Sequence, residues 1–206
     1  MEKEAASSSA MSRFGAEWVS SRENLTGLMD LPGTWIDSVH ECAPLNKLIL
    51  GLDSSQSETD GDQQGSAYNR YFEYTCYHPL FLFNQHGDWE RAMLRRENHA
   101  SARLWRRVLL PVIERYRGRD IPKYFRGVAA FAIPALYRLL ETEGFQYTVR
   151  IPADDVLMGS IDHLLTRPVG RPSSKPKVFH ESFSYQAQSW DHPRGMGATG
   201  PPAVVF

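Results

Sequence analysis

The apolar run Lys47-Leu48-Ile49-Leu50-Gly51-Leu52-Asp53-Ser54-Ser55 reads as a strand that delivers one carboxylate, Asp53, at its C-terminal end. A carboxylate so placed suits metal-dependent attack on a phosphodiester. Hard oxygen ligands hold Mg²⁺; one ion makes a water or a 3′-hydroxyl nucleophilic, and a second stabilises the departing oxygen. Two divalent cations about 4 Å apart repel by roughly 16 kcal/mol at an effective dielectric of about 20. Several carboxylates must therefore converge, and Asp53 standing alone would serve as a turn or capping residue.

Other groups with possible chemistry have simpler uses. Cys76 and His78, two apart on a strand, point to one face, but without a second pair they read as packing. Tyr68 and Asn69 follow the first strand as rim or loop-holding residues. Glu58, Asp60 and Asp62 lack the spacing of a calcium loop. The two cysteines, Cys42 and Cys76, form neither a disulfide framework nor a CxxC knuckle.

A net charge of −1 conceals a polarised chain. Residues 1–63 carry eleven acidic and four basic side chains, whereas residues 91–126 carry eleven basic side chains against Glu97, Glu114 and Asp120. Such basic density is the footprint of a polyanion partner. Arg95, Arg96, Arg103, Arg106, Arg107 and Arg126, together with Arg115, Arg117 and Arg119, are the expected phosphate contacts. Arg171 joins them in the basic Pro-rich segment 167–177, where Val169-Gly170-Arg171-Pro172 has the Gly-Arg-Pro core of a minor-groove hook but lacks the Arg before the Gly, so the segment reads as a plain basic linker. No apolar run reaches the roughly 18 residues of a membrane span, and Met1–Ala10 is unlike a signal peptide. The expected setting is cytoplasmic, away from membranes.

The elements that must position these groups follow from periodicity. Residues 1–24 read as a mobile arm, and Arg22–Val39 as one or two short helices interrupted at Pro32-Gly33, with Leu25, Leu28, Leu31 and Trp35 buried. After the Asp53 strand come three extended segments, 70–77, 80–84 and 90–95, with a hairpin turn at Gln85-His86-Gly87-Asp88. A helix with a wide apolar stripe spans 101–116 and should bend at Pro111. A strand at 123–129, a helix from Pro134 to Gly144, a strand at 145–151 and a helix at 154–165 complete the alternation. An antiparallel meander feeding αβαβ is the order of an α/β, ribonuclease H-like mixed sheet with flanking helices. The strand after the long helix then lies parallel beside the first, so Asp53 and position 128 fall at neighbouring carboxyl ends, where open α/β sheets place their sites. Val128 itself reads as a β-branched residue continuing a buried strand. Val178–Trp190 alternates like a strand or hairpin, and 195–206 is Gly/Pro-rich without pattern, so it is expected to be disordered.

Several motifs in order carry a family likeness from about Met11 to Arg194. They are Leu52-Asp53-Ser54-Ser55, Gly65-Ser66-Ala67-Tyr68-Asn69, Cys76-Tyr77-His78-Pro79-Leu80-Phe81 and Asn84-Gln85-x-Gly87-Asp88-x-Glu90-Arg91, then Tyr124-Phe125-Arg126-Gly127 with Ala130-Phe131-Ala132, and Ser182-Phe183-x-Tyr185-Gln186-Ala187-x-Ser189-Trp190. The chain resembles DDE transposases of bacterial insertion sequences, most of all the thirteen-eighty family. The resemblance implies Mg²⁺ as cofactor and DNA, as transposon ends and target, as partner, in a nucleoid-associated bacterial protein. It assigns Asp53 as the first catalytic and metal-binding aspartate and puts Val128 where relatives have the second, after Arg-Gly. The third, a glutamate on a late helix, would lie beyond Phe206. Gly51 and Arg70-Tyr71 are further departures from the family pattern.

The resemblance thus implies an N-terminal arm with short helices (1–40), an incomplete ribonuclease H-like DDE domain (41–166), a basic linker with the start of an inserted β region (167–194), and a disordered tail (195–206). It describes a truncated, degenerate copy, expected to be inactive in strand cleavage and transfer. A DNA-binding remnant that interferes with intact transposase copies is the alternative. A phosphatase of the haloacid-dehalogenase type would need a second Asp two residues after Asp53, where Ser55 stands.

Overall fold

Ser7 and Ser21 open the first two helices by accepting hydrogen bonds from the backbone N–H of Ala10 and Asn24, both at 3.2 Å. In the computed structural model, which describes residues 7–19, 21–61, 63–70, 72–96, 99–152, 154–165, 179–200 and 204–205, these are α1 (Ser8–Arg13) and α2 (Arg22–Cys42), with a π-helical segment Phe14–Val19 between them. The described part of the segment expected to be a mobile arm is therefore largely helical. There follow β1 (Leu48–Ser54), β2 (Ser57–Glu58), β3 (Ala67–Asn69), β4 (Tyr74–Tyr77), β5 (Leu80–Phe83), β6 (Trp89–Met93), α3 (Trp105–Tyr116), β7 (Lys123–Gly127), α4 (Pro134–Thr142), β8 (Gln146–Val149), α5 (Asp155–Leu165), β9 (Phe179–Tyr185), β10 (Arg194–Gly200) and β11 (Val204–Val205).

The main sheet has the order β6-β5-β1-β7-β8, antiparallel from β6 to β1 and parallel from β1 to β8. This is the expected ribonuclease H-like mixed sheet, with β1 central. Alternation along the strands gives it two unlike faces. Leu48, Leu50 and Leu52 of β1, Leu80 and Leu82 of β5, and Phe125 of β7 are buried against Val108, Leu109, Val112, Ile113 and Tyr116 of α3. Each such side chain contributes roughly 1.5–3 kcal/mol on burial. Tyr147 of β8 lies level with Phe125 and stacks on Tyr137 at 5.2 Å, so α4 covers the same face. The other face carries Gly51, Asp53, Phe81, Phe83, Trp89 and Arg126, with Asp53, Trp89 and Arg126 exposed.

Two expectations about α2 are corrected. It is one continuous helix through Pro32, and Leu25, Leu28, Leu31 and Trp35 face solvent, while Gly33, Ile36 and His40 are buried. The helix packs on β6, and its polar contacts reach β6 and the C-terminal end of α3. Asp30 pairs with Arg91, Asp37 with Arg115 and Arg119, and His40 Nδ1 stands 3.5 Å from the Tyr116 hydroxyl. Burial, then the Arg119 charge, pushes the His40 imidazole below its ordinary pKa, favouring the neutral ring. A Cβ at Gly33 would run into the Arg115 guanidinium, which reaches past this point to buried Glu90.

The tail is corrected too. Residues 194–200 pair in continuous register with β9, from Arg194↔Tyr185 to Gly200↔Phe179, and β11 pairs with β10. Arg194, Met196 and Ala198 turn inward while Gly195 is exposed and Gly197 half-buried, so glycines on the outer side hide a period of two. No described helix is long and apolar enough to cross a membrane.

Candidate functional site

Asp53 is placed by the β1–β7 register. Leu52 lies level with Gly127, so the next residues, Asp53 and Val128, stand side by side at the carboxyl ends of two parallel strands. Val128 corrects the expectation of a buried strand residue. It follows the end of β7, opens a 3₁₀ turn (Ala129–Phe131) without a side-chain cap, and is 49% exposed. An N-cap is where a short polar side chain is favoured, so the hydrocarbon adds neither a cap nor core packing.

Together these residues line an open cavity of about 400 Å³ with Gly51, Leu52, Phe83, Asn84, Gly87, Arg126 and Gly127. The sequence placed Asn84 at the end of an extended segment, Gly87 in a hairpin turn and both in a family motif; the structure also sets them in the cavity lining. Asn84 Oδ1 accepts from the backbone N–H of His86 (2.9 Å) and Asp88 (3.1 Å), and its amide donates to Asp88 (3.2 Å) and to Glu90 (3.1 Å). Gly87, at φ 87°, completes the hairpin. Gln85 fastens that hairpin to the start of β1, accepting from Ile49 N–H at 3.0 Å and donating to the Lys47 carbonyl at 3.2 Å. Glu90 and Arg91 continue the motif inward: Glu90 takes hydrogen bonds from Arg115 and Tyr116, and Arg91 donates to the Arg107 carbonyl. The motif is therefore a brace, joining the cavity rim to β1, α2 and α3.

The donors present do not fit a pair of divalent ions. Asp53 Oδ1 already accepts from Ser54 N–H at 2.8 Å, and the Asn84 oxygen is engaged twice. Val128 supplies no oxygen, and among the described residues no three His, Cys, Asp or Glu side chains converge. One Mg²⁺ can be held by one or two carboxylates with waters completing its shell, but two ions about 4 Å apart need more carboxylate than Asp53 alone supplies.

The arginines separate into three groups. Arg95 is 3% exposed and donates to the carbonyls of His78, Ser101 and Arg103 at 2.7–2.9 Å, so it holds the loop before α3 and cannot also grip a phosphate. Arg115, Arg117 and Arg119 are likewise engaged, with Glu90 and Asp37, with Glu114 and Glu143, and with Asp37. Arg96, Arg103, Arg106 and Arg107 are exposed, Arg106 lying over the Trp105 ring at 4.7 Å. Arg106 and Arg107 project from the outer side of α3, on the opposite side of the sheet from Asp53. Arg126 alone of the described candidates lines the cavity; Arg171 lies outside the described residues.

Away from the cavity, Tyr68 is exposed on β3 and Asn69 Oδ1 accepts from Phe72 N–H at 3.1 Å, holding a turn. Cys76 is buried, and His78 Nδ1 meets the His99 carbonyl at 3.0 Å.

No curated protein matches this chain. Solved structures similar to it include the piggyBac transposase synaptic complex with hairpin DNA, with a TM-score of 0.48 and 14% identity over 83% of this chain and 35% of that one. Two Mos1 complexes are similar at lower scores. The strand transfer complex has a TM-score of 0.32 and 13% identity over 80% of this chain and 53% of that one. The pre-cleavage transpososome has 0.31 and 14% over 80% and 54%. The chain thus spans about a third of the piggyBac chain and about half of each Mos1 chain. Family membership comes from a sequence match instead: the family model for transposase DDE domain group 1 covers residues 1–196, and this chain belongs to that family.

Proposed function

We propose that this chain is a DDE domain of insertion-sequence transposase type that binds DNA and does not by itself cleave or join it. One observation carries the reading: the strand-end positions where two catalytic carboxylates would share metal ions hold Asp53 and Val128, side by side and level. On this reading Asp53 is the first aspartate of the ancestral catalytic set, in which Mg²⁺ would serve cleavage at transposon ends and attack of a 3′-hydroxyl on target DNA. A hydrocarbon cannot share in offsetting the repulsion of two divalent ions, so neither Mg²⁺ nor Mn²⁺ pairs should be held productively.

The test is a nicking assay on DNA carrying the element's terminal repeats, in Mg²⁺ and in Mn²⁺, with Asp53→Ala as control. Wild type and control should be equally silent. Turnover that disappears in Asp53→Ala overturns the proposal.

DNA binding, with interference in intact copies, is supported by Arg96, Arg103, Arg106 and Arg107, which are exposed and make no ion pair among the described residues. If all four touch phosphates, log K should fall with log[salt] at a slope of about −3 to −4. Replacing them by alanine should flatten that slope in a gel-shift titration. No binding at low salt would end this reading.

A further inference from the structure

The cavity beside Asp53 has the wrong charge for cations and a workable one for an anion. Its titratable lining is one carboxylate, Asp53, and one guanidinium, Arg126; the remaining residues are glycine, leucine, phenylalanine, asparagine and valine. Arg126 leaves β7 on the same face as Asp53, and its side chain runs across Gly51, with Nε 3.4 Å from where a Cβ of Gly51 would stand. A Cβ there would meet the arginine at ordinary van der Waals distance, so the Arg126 side chain lies directly over Gly51. Arg126 is exposed, and among the described residues it makes no ion pair. Phe83 supplies an apolar wall on the same side of the sheet, continuous with Phe81 and the exposed Trp89 at 5.8 and 5.3 Å between ring centroids.

A site of several carboxylates admits a phosphate only after cations have neutralised it. Here residue 128 carries no charge, and the lining sums to zero without any ion. We propose that this cavity binds a DNA phosphodiester directly through Arg126, independently of divalent metal, with Asp53 opposing the phosphate instead of recruiting a cation to it. The guanidinium offers paired donors in the planar fork that suits phosphate oxygens, and the aromatic wall suits the sugar and base beside them. The inference rests on the reading of the chain as a DNA-binding domain and names the place where one phosphate sits.

Fluorescence anisotropy with a labelled DNA oligonucleotide, in EDTA and in millimolar Mg²⁺ at matched ionic strength, tests it. Affinity should agree within about twofold between the two buffers. Arg126→Ala should weaken binding about tenfold, the scale of losing a charge-assisted hydrogen-bonded contact, and Arg126→Lys should recover part of it. Asp53→Ala should tighten binding several-fold, because it removes a like charge beside the phosphate; in a cation-dependent site the same change would weaken it. Arg126 and Asp53 are exposed, so circular dichroism should show all three variants folded. Mg²⁺-dependent binding, weakening by Asp53→Ala, or an Arg126→Ala variant that binds like wild type while Arg106→Ala loses affinity would each overturn the inference and leave DNA binding in place. Absence of binding by the wild type at low salt would overturn both.

Discussion

Replacing Glu90 by alanine is expected to destabilise the fold by about 3–5 kcal/mol, the range for breaking a buried ion pair from one side. Glu90 has no exposed surface. Its carboxylate accepts from Arg115, from the Tyr116 hydroxyl at 2.9 Å and from the Asn84 amide at 3.1 Å. Truncation would strand one charge and two polar donors together. Burial already pushes the Tyr116 phenol above its ordinary pKa, which keeps the hydroxyl a donor in need of an acceptor. As a charge partner Arg115 would retain Asp37 of α2 alone among the described residues. At about 2–4 °C per kcal/mol for a domain of this size, the midpoint of thermal unfolding should drop by roughly 6–20 °C. Glu90→Gln keeps the shape and two lone pairs and should cost less than half as much. A loss below about 1 kcal/mol for Glu90→Ala, measured by urea titration, would show that the network is not the brace described. The effect should also reach the cavity, because Asn84 is held by Glu90 on one side and forms the rim on the other.

That brace explains which parts of the molecule were legible from residues alone. The strands β1, β5 and β7 announced themselves through apolar runs of strand length, and parallel pairing of β1 with β7 followed from the long intervening helix. The level placement of Asp53 and residue 128 needed nothing more than that. Periodicity failed where polar groups make the contact. Leu25, Leu28, Leu31 and Trp35 form the more obvious stripe on α2, yet Asp30, Asp37 and His40 decide which side faces the sheet, through partners 60 to 80 residues away in sequence. A charge count failed for the same reason. Arg95 and Arg115 look like surface cations in a basic segment, but one satisfies loop carbonyls and the other a buried glutamate. In the tail, composition masked alternation: Arg194, Met196 and Ala198 had the period of a strand, and the glycines between them suggested disorder. Of the motifs shared with the family, the one holding Asp53 lies at a strand end, while the Asn84-to-Arg91 motif proved to be structural support for the rim.

Arg194→Ala should release the β9–β10 hairpin while the main sheet stays folded. The Arg194 side chain is 6% exposed and is the knot between hairpin and body. Nε and Nη2 donate to the two oxygens of Glu141 at 2.8 and 3.0 Å, Nε also reaches the Tyr147 hydroxyl at 3.0 Å, and Nη2 reaches Asp191 at 3.0 Å. Its guanidinium lies over the rings of Tyr137 and Trp190, at 5.3 and 5.2 Å. A bidentate pair, these two hydrogen bonds, a third from Nη1 to the His192 carbonyl at 3.3 Å and two ring contacts give an expected loss of about 2–4 kcal/mol. Lysine should not rescue it, since an ammonium cannot fork across Glu141. The hydrogen bonds from Arg194 hold the Glu141 carboxyl below its ordinary 4.5, outweighing its partial burial. A depressed carboxylate contributes fully above its unfolded value and progressively less as pH falls through the folded one. The difference between wild type and variant should therefore be largest at neutral pH and shrink below about pH 4.5. Hydrogen exchange makes the readout local: amides of 180–185 and 194–198 should lose protection in the variant, and those of 48–54 and 123–127 should keep theirs. Uniform loss across both groups would mean that the hairpin and the sheet unfold as one unit, and that Arg194 supports the whole core instead of one docked element.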